Sequence, residues 1–332
     1  MPVLAIDVGG TSTRAAIVST DGTCVGSARA RAGNPTSSGA DDAAAAIAEA
    51  ALAAMAGAAV DPGDVAAGVV AIAGASGQVG AWLVTELVRA GLPEQLTLEA
   101  DLLAAFCSGS LAPAGYALIA GTGAAAIRVR NGRIEATADG LGWLLGDAGS
   151  GFWIGRRAVL AATRDLDDRG PPTALTDLLV AELGLIRSSG RGTDGRVPVL
   201  RQLVAVLYGL RPVELSRFAP LVFDAAAAGD DVATGIVGSA GDALAATLTA
   251  VLVPDIAGPI VLSGSIVSRQ PAVARRAVRS VLTAAEGVEV ITVSDGLAGA
   301  AVLALRQVGV TVDDSILVRL HGSLPPPVAD QA

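Results

Sequence analysis

The stretch Leu4-Ala5-Ile6-Asp7-Val8-Gly9-Gly10-Thr11-Ser12-Thr13-Arg14 decides the reading of this chain. An apolar run ends in an Asp, a Gly-Gly pair, small hydroxyls and one Arg, then resumes as Ala15-Ala16-Ile17-Val18. That order predicts strand, tight turn, strand. Glycines remove the Cβ that holds a ligand away from the backbone, so the turn can offer bare N–H groups to an anion. Thr11 and Thr13 add hydroxyl donors and Arg14 a fixed charge. Asp7 stands where it can hold a hydrated Mg²⁺ beside that anion.

Working outward, Ser19-Thr20-Asp21-Gly22 reads as a hairpin turn into a third strand, Cys24–Arg31. After a loop over 34–39, Asp41 and Asp42 can cap an Ala-rich helix over 43–59. A buried-type strand over 65–73, a helix over 81–90, a strand over 95–98 and a helix over 102–107 follow. The opening pattern then returns. Tyr116-Ala117-Leu118-Ile119-Ala120-Gly121-Thr122-Gly123 is again an apolar strand entering a Gly-Thr turn. A second strand runs to Arg130, Asn131-Gly132 turns, and a third covers 133–137. A duplicated βββ-α-β-α-β unit accounts for both halves, with two Gly-Thr turns facing across one cleft. The run 121–126 also fits G-x-G-x-x-A, but a dinucleotide fingerprint must open a helix, and this one enters a strand.

Further on, the Gly-dense segment 139–151 holds Trp143, Leu144 and Leu145, which marks a shaped loop ahead of a helix over 152–163. Residues 164–235 read as helical, broken at Pro171-Pro172 and over 188–195. A helix over 242–253, a strand over 260–267, a helix over 272–285, a strand over 288–293 and a last long helix over 296–307 complete the pass. The tail with Pro325-Pro326-Pro327 is expected to fray.

Composition removes several chemistries. A chain of 332 residues, 52% hydrophobic and 17% charged, can bury a large core and favours two domains. A net charge of -9 opposes phosphate backbones, so no nucleic-acid partner is expected. Lys is absent and all 23 basic residues are Arg, which removes a P-loop and a Lys Schiff base. The single His, His321, precludes a His-rich metal site. Cys24 and Cys107 lie far apart without a CxxC and read as free thiols of a reducing compartment. The start has no basic n-region, and no apolar run reaches the ~20 residues of a membrane span, so a cytoplasmic protein without a membrane partner is expected.

Five segments fall, in order, on the pattern of the actin, hexokinase and Hsp70 ATPase superfamily. Residues 7–14 resemble its first phosphate loop, 99–106 its first connecting segment and 118–128 its second phosphate loop. Residues 261–268 resemble its adenosine-side strand and turn, and 295–305 its second connecting helix. The loop from Gly140 to Gly151 resembles the N-acetylglucosamine kinase branch, which groups with the BadF/BadG-type ATPases. That branch commonly carries Trp where Leu141 stands, and Asp-Glu-Gly where this chain has Asp147-Ala148-Gly149. The Arg-only, Ala-rich chain looks most like the actinobacterial glucosamine kinases of the branch.

The resemblance implies an α/β, duplicated actin-like (ribonuclease H-like) ATPase fold with two lobes around a central cleft. The N-terminal lobe would hold 1–107 plus a C-terminal helix over about 296–320. The C-terminal lobe would hold 108–295 with a helical insertion over about 164–235. It implies ATP and Mg²⁺ as cofactors and a homodimer. The implied reaction moves the γ-phosphoryl of ATP to the 6-hydroxyl of D-glucosamine, giving glucosamine 6-phosphate. An N-acetylglucosamine kinase, a BadF/BadG-type ATPase and a sugar-sensing regulator are the alternatives.

By the same resemblance Asp101 is the catalytic base and Asp7 orients Mg²⁺ through water. Gly9, Gly10, Thr11 and Thr13 line the β/γ-phosphates, with Arg14 in reach, and Gly121, Thr122 and Gly123 close from the other lobe. Gly264 and Ser265 lie against adenosine. Asn34, Asp101, Thr122, Gly140 and Asp147 hold the sugar. An ammonium at C2 would call for a carboxylate, and Glu135, Asp139 and Asp147 are all open to that part.

Overall fold

Val3, Leu4, Ala5 and Ile6 are fully buried because strand β1 (Val3–Val8) sits mid-sheet with both faces covered. The computed structural model describes residues 1–10, 12–35, 39–74, 78–187, 190–284 and 287–326. β1 pairs antiparallel with β2 (Ser12–Val18), and β2 with β3 (Cys24–Arg31), through the tight turns expected from the glycines. Helices α1 (Ala40–Ala58) and α2 (Gln78–Arg89) are the crossovers that let β4 (Ala67–Ile72) and β5 (Leu96–Ala100) add in parallel. The strand order is β3-β2-β1-β4-β5.

After helix α3 (Asp101–Gly109) the plan repeats. Strands β6 (Gly115–Ala120), β7 (Ala124–Arg130) and β8 (Arg133–Asp139) are antiparallel. Then β9 (Ile260–Ser263) and β10 (Val290–Thr292) join in parallel, in the order β10-β9-β6-β7-β8. Between β8 and β9 lie α4 (Gly151–Leu166), α5 (Ala174–Glu182), α6 (Pro198–Tyr208), α7 (Ala219–Ala227) and α8 (Asp231–Thr249). A small separate core of Val159, Ala162, Leu179, Leu203 and Phe218 holds α5 and α6 to α4.

Three larger cores fix the lobes. Leu4, Ile6, Val8 and Ile17 pack under α1 on the outer face of the first sheet. Leu118, Leu262 and Ile260 pack under α4, α8 and α10 (Pro271–Ala284) on the outer face of the second. Between the sheets, Val3, Ala5, Val69, Ile127, Val129 and Val261 share one core with α3, α11 (Leu297–Gln307) and α12 (Asp314–Ser323). The two lobes are thus joined through apolar side chains of both sheets.

Some boundaries differ from the sequence reading. Ile266 and Val267 belong to a short helix, α9 (Ser265–Arg269), because Gly264 at φ 93° turns the chain out of the sheet. α8 begins at Asp231, where the Asp230 carboxylate accepts the Ala233 N–H at 2.8 Å, rather than at Asp242. Its glycines had masked the periodicity. It is long and apolar enough to cross a bilayer by composition, but Ala233, Ile236, Ala240 and Leu244 pack it into the second lobe. A further helix, α12, follows the one read as last. The expected loop residues 36–38, the strand end Ala75-Ser76-Gly77 and the tail from Pro327 lie outside the described residues.

Close approach of α11 to α3 requires Gly299, where an added Cβ would stand 1.7 Å from the Ala104 carbonyl oxygen. Gly299→Ala therefore costs about 1–3 kcal/mol in urea unfolding through overpacking. The control Gly235→Ala on α8, where a Cβ meets nothing within 4 Å, gains about 0.5–1 kcal/mol.

Candidate active site

β1 and β5 run parallel either side of β4 and end at the same edge of the first sheet. Asp7 lies near the end of β1, and Asp101 follows β5 as the first residue of α3. The Asp101 Oδ1 accepts the Leu102 N–H at 2.9 Å. Asp7 Oδ2 accepts the Gly296 N–H at 3.3 Å, and a Cβ at Gly296 would press to 2.9 Å from Asp7 Oδ1. The cross-strand partner of Asp7 is Arg14, whose guanidinium bonds Asp295 and also donates to the Pro325 carbonyl at 2.6 Å. Asp295 and Gly296 were not singled out from sequence as site residues. The Ser-Asp-Gly ahead of α11 was the available signal.

Three carboxylates therefore share this edge with one guanidinium. Burial pushes Asp7 up to about 7, and the Asp295 and Asp101 charges add to the rise, against the Arg14 charge and the Gly296 N–H. Burial likewise pushes Asp101 up to about 6, opposed by backbone N–H bonds. The site favours a cation or a proton.

The first turn closes through Gly9 N–H to the Ser12 carbonyl at 2.9 Å. A Cβ at Gly10 would stand 3.1 Å from Thr122 Oγ1, so the turns of the two lobes oppose each other directly. Thr13 pairs with Val8 on the outer face, and its hydroxyl is buried against Gly33 with no hydrogen-bond partner among the described residues. Alternation along β2 puts Arg14, not Thr13, on the Asp7 face. Thr11 lies outside the described residues, and Asn34 is half-buried just ahead of α1.

The second turn is held from behind. Gly151 and Phe152, opening α4, donate N–H bonds to the Gly121 and Thr122 carbonyls at 2.7 and 3.1 Å. Asp147 Oδ1 accepts the Ala124 N–H at 3.0 Å, and a Cβ at Gly123 would meet it at 2.8 Å. Asp139 accepts the Asp147 and Ala148 N–H groups at 2.7 and 3.0 Å, and Gly140 N–H returns to the Ala124 carbonyl at 3.0 Å. Gly264 packs on this turn, a Cβ there falling 2.6 Å from the Ala120 carbonyl, and Ser265 follows it. Asp7, Gly10, Asp101 and Thr122 thus come together, as do Gly121, Gly123, Gly140, Asp147 and Gly264. His321 lies apart, its Nε2 2.8 Å from the Ser108 carbonyl.

The description BadF/BadG/BcrA/BcrD ATPase family fits residues 4–304 of this chain. The chain is 27% identical over 233 residues to an N-acetyl-D-glucosamine kinase of Dictyostelium discoideum, covering 67% of this chain and 69% of that one. A Chromobacterium violaceum protein, provisionally described as an N-acetylglucosamine kinase, superposes with a TM-score of 0.71 at 23% identity, covering 91% and 98% of the two chains. A ROK family glucokinase from Streptomyces griseus, solved with glucose and AMPPNP, gives 0.54 at 20% identity over 92% and 100%. The last two likenesses are of fold, and the fold is the duplicated two-lobe actin-like ATPase fold.

Because folding raises the Asp7 pKa to about 7 from 3.8, its contribution to stability is present below the unfolded value and is lost as pH rises through the folded one. Asp7→Asn should therefore raise the Tm of the ligand-free protein at pH ~8 by at least ~2 °C, and the gain should vanish near pH ~4. Differential scanning calorimetry at the two pH values checks both halves.

Proposed function

The chain belongs to the BadF/BadG/BcrA/BcrD ATPase family, and from that premise we propose that it is an ATP-dependent kinase acting on the 6-hydroxyl of N-acetylglucosamine. The observation that carries the reading is the opposition of Gly10 and Thr122 beside the half-buried pair Asp7 and Asp101. Opposed glycine-bearing turns suit a polyphosphate, whose oxygens accept backbone N–H bonds. Catalysis of phosphoryl transfer is mainly positioning and charge stabilisation, which two such turns supply.

Asp101 takes the proton of the attacking hydroxyl as its oxygen bonds the γ-phosphorus and ADP leaves. Gly9, Gly10 and Thr11 lie along the β- and γ-phosphates, with Gly121, Thr122 and Gly123 opposite. Arg14, tied to Asp295, tempers the carboxylate charge beside them. Gly264 and Ser265 face adenosine, and Asn34, Gly140 and Asp147 hold sugar hydroxyls, since amide and carboxylate groups give the paired donors and acceptors a polyol needs.

No group of three or more His, Cys, Asp or Glu that could hold a metal occurs among the described residues. Mg²⁺ commonly uses one or two carboxylates with water and substrate phosphates, so the carboxylate-rich edge at Asp7 and Asp101 fits it. When bound, it would neutralise developing phosphate charge. Asp7 would hold it through water.

The sugar's C2 substituent is where the sequence reading and the comparisons part. A glucosamine ammonium needs a carboxylate to spare. Glu135 is bridged by Arg128 and Arg130 at 2.6 and 2.8 Å, and both Asp139 oxygens hold backbone N–H groups. Asp147 spends one oxygen on Ala124 and is itself pushed up by burial. The neighbouring Leu141, Leu144 and Leu145 are exposed apolar side chains, which suit an acetyl methyl better than an ammonium. The Dictyostelium relative points the same way.

A coupled ADP-release assay with N-acetylglucosamine, glucosamine and glucose tests the reading. N-Acetylglucosamine should lead in kcat/KM by at least about tenfold, a ratio within reach of one apolar group. A lead for glucosamine would overturn the acetyl assignment, and ATP binding without turnover on any sugar would overturn the kinase.

Asp101→Asn should lose about 10²–10⁴ in kcat without any fall in its Tm. In the wild type, kcat/KM should fall as pH drops through about 6, where the Asp101 base becomes protonated.

A further inference from the structure

Helix α4 has two faces with different tasks. Gly151 and Gly155 lie on the face packed against the Gly121 turn and the Leu215 carbonyl. The opposite face carries Trp153, Arg156, Arg157, Leu160 and Arg164, and with Ile236 of α8 it lines a cleft of about 300 Å³. That volume sits at the small end of ligand clefts. The Arg157 guanidinium carbon lies 3.8 Å from the centroid of the Trp153 ring, a cation–π contact that fixes its direction.

The charges in this cleft are uncompensated. Among the described residues none of the three guanidinium groups meets a carboxylate, although Arg14, Arg31, Arg89, Arg128 and Arg276 all do. All three side chains are exposed, yet partial desolvation and then the Arg156 and Arg164 charges hold Arg157 below the usual arginine range. A chain of net charge -9 has acids to spare, yet this face gathers none. Like charges held together without a counter-ion are relieved by a bound anion, and guanidinium groups bind phosphate oxygens in pairs.

We propose that this cleft is a second ligand site, separate from the one between the lobes, which takes a small phosphorylated molecule with an apolar or planar part. The arginines hold the phosphate, and Leu160 and Ile236 carry the apolar part. The acidic surface elsewhere and the small volume make the occupant a small molecule rather than a nucleic-acid chain. The inference does not depend on the kinase reading.

Titration with inorganic phosphate and with AMP, followed by Trp fluorescence and calorimetry, tests it. The comparison is with Arg156→Gln/Arg157→Gln/Arg164→Gln and with Trp153→Phe, both checked for an unchanged Tm and for unchanged affinity for a non-hydrolysable ATP analogue between the lobes. Wild type should show a saturable signal below about 10 mM, at least about tenfold tighter for AMP than for phosphate. The triple variant should lose at least about tenfold in affinity, and Trp153→Phe should lose the fluorescence change. Equal binding by the triple variant, or no saturable signal in wild type, overturns the site. If AMP binds no tighter than phosphate, the apolar part of the assignment is wrong. Should the triple variant fail to fold, single Gln variants at the three positions read the same loss in smaller steps.

Discussion

The partial burial of Asp7 is the constraint from which the rest of the molecule follows. A half-buried carboxylate loses much of its hydration, and this one also faces the charges of Asp101 and Asp295. Arg14 and the Gly296 N–H offset only part of that cost. An apolar residue at position 7 would suit the fold better, so the acid is held there against stability. What holds it is the register of β1, which is fixed by apolar neighbours on both faces: a one-residue slip would send Leu4 and Ile6 to the wrong core. The site sits on a strand that cannot move without unpacking both cores.

Around that fixed point, close backbone contacts do the shaping. Gly10 lets the first turn meet Thr122, Gly264 lets the β9–α9 turn lie on Ala120, and Gly296 gives Asp7 its room. At Gly264 an added Cβ would collide with the Ala120 backbone, whereas at Gly10 and Gly296 it would crowd the Thr122 and Asp7 side chains. The same logic sets the lobes against each other, since Gly299 allows α11 to ride on the backbone of α3.

How much of this was legible in the sequence depends on whether the signal was local. The hairpins were, because Gly9-Gly10 and Asn131-Gly132 sit between apolar runs and turn chemistry is short-range. The position of Asp101, just after a strand and opening a helix, was legible because the apolar run ends at a capping-type residue. That Thr13 and Arg14 face opposite ways was not legible, because residues in a turn motif look equivalent in one dimension, while strand alternation sends alternate ones to opposite faces. Asp295 was passed over because its importance lies in Arg14, reached only across 281 residues of chain. The start of α8 was hidden by Gly235, Gly238 and Gly241, whose helical state is imposed by packing and by the Asp230 cap.

One consequence concerns where motion can occur. Gly140 N–H bonds the Ala124 carbonyl, Ala124 N–H bonds Asp147, Asp147 N–H bonds Asp139, and Gly151 N–H bonds Gly121. The second turn and the β8–α4 loop therefore form one hydrogen-bonded unit, with Asp139 and Asp147 held at positive φ by it. A ligand group seated on that loop is placed relative to the turn before any closure takes place. Sliding the loop against the turn would strand buried backbone groups, whereas tilting one lobe against the other breaks none of these bonds. In the first lobe, among the described residues, Gly9 N–H bonds the Ser12 carbonyl and Arg14 is tied to Asp295 and Pro325 across the chain.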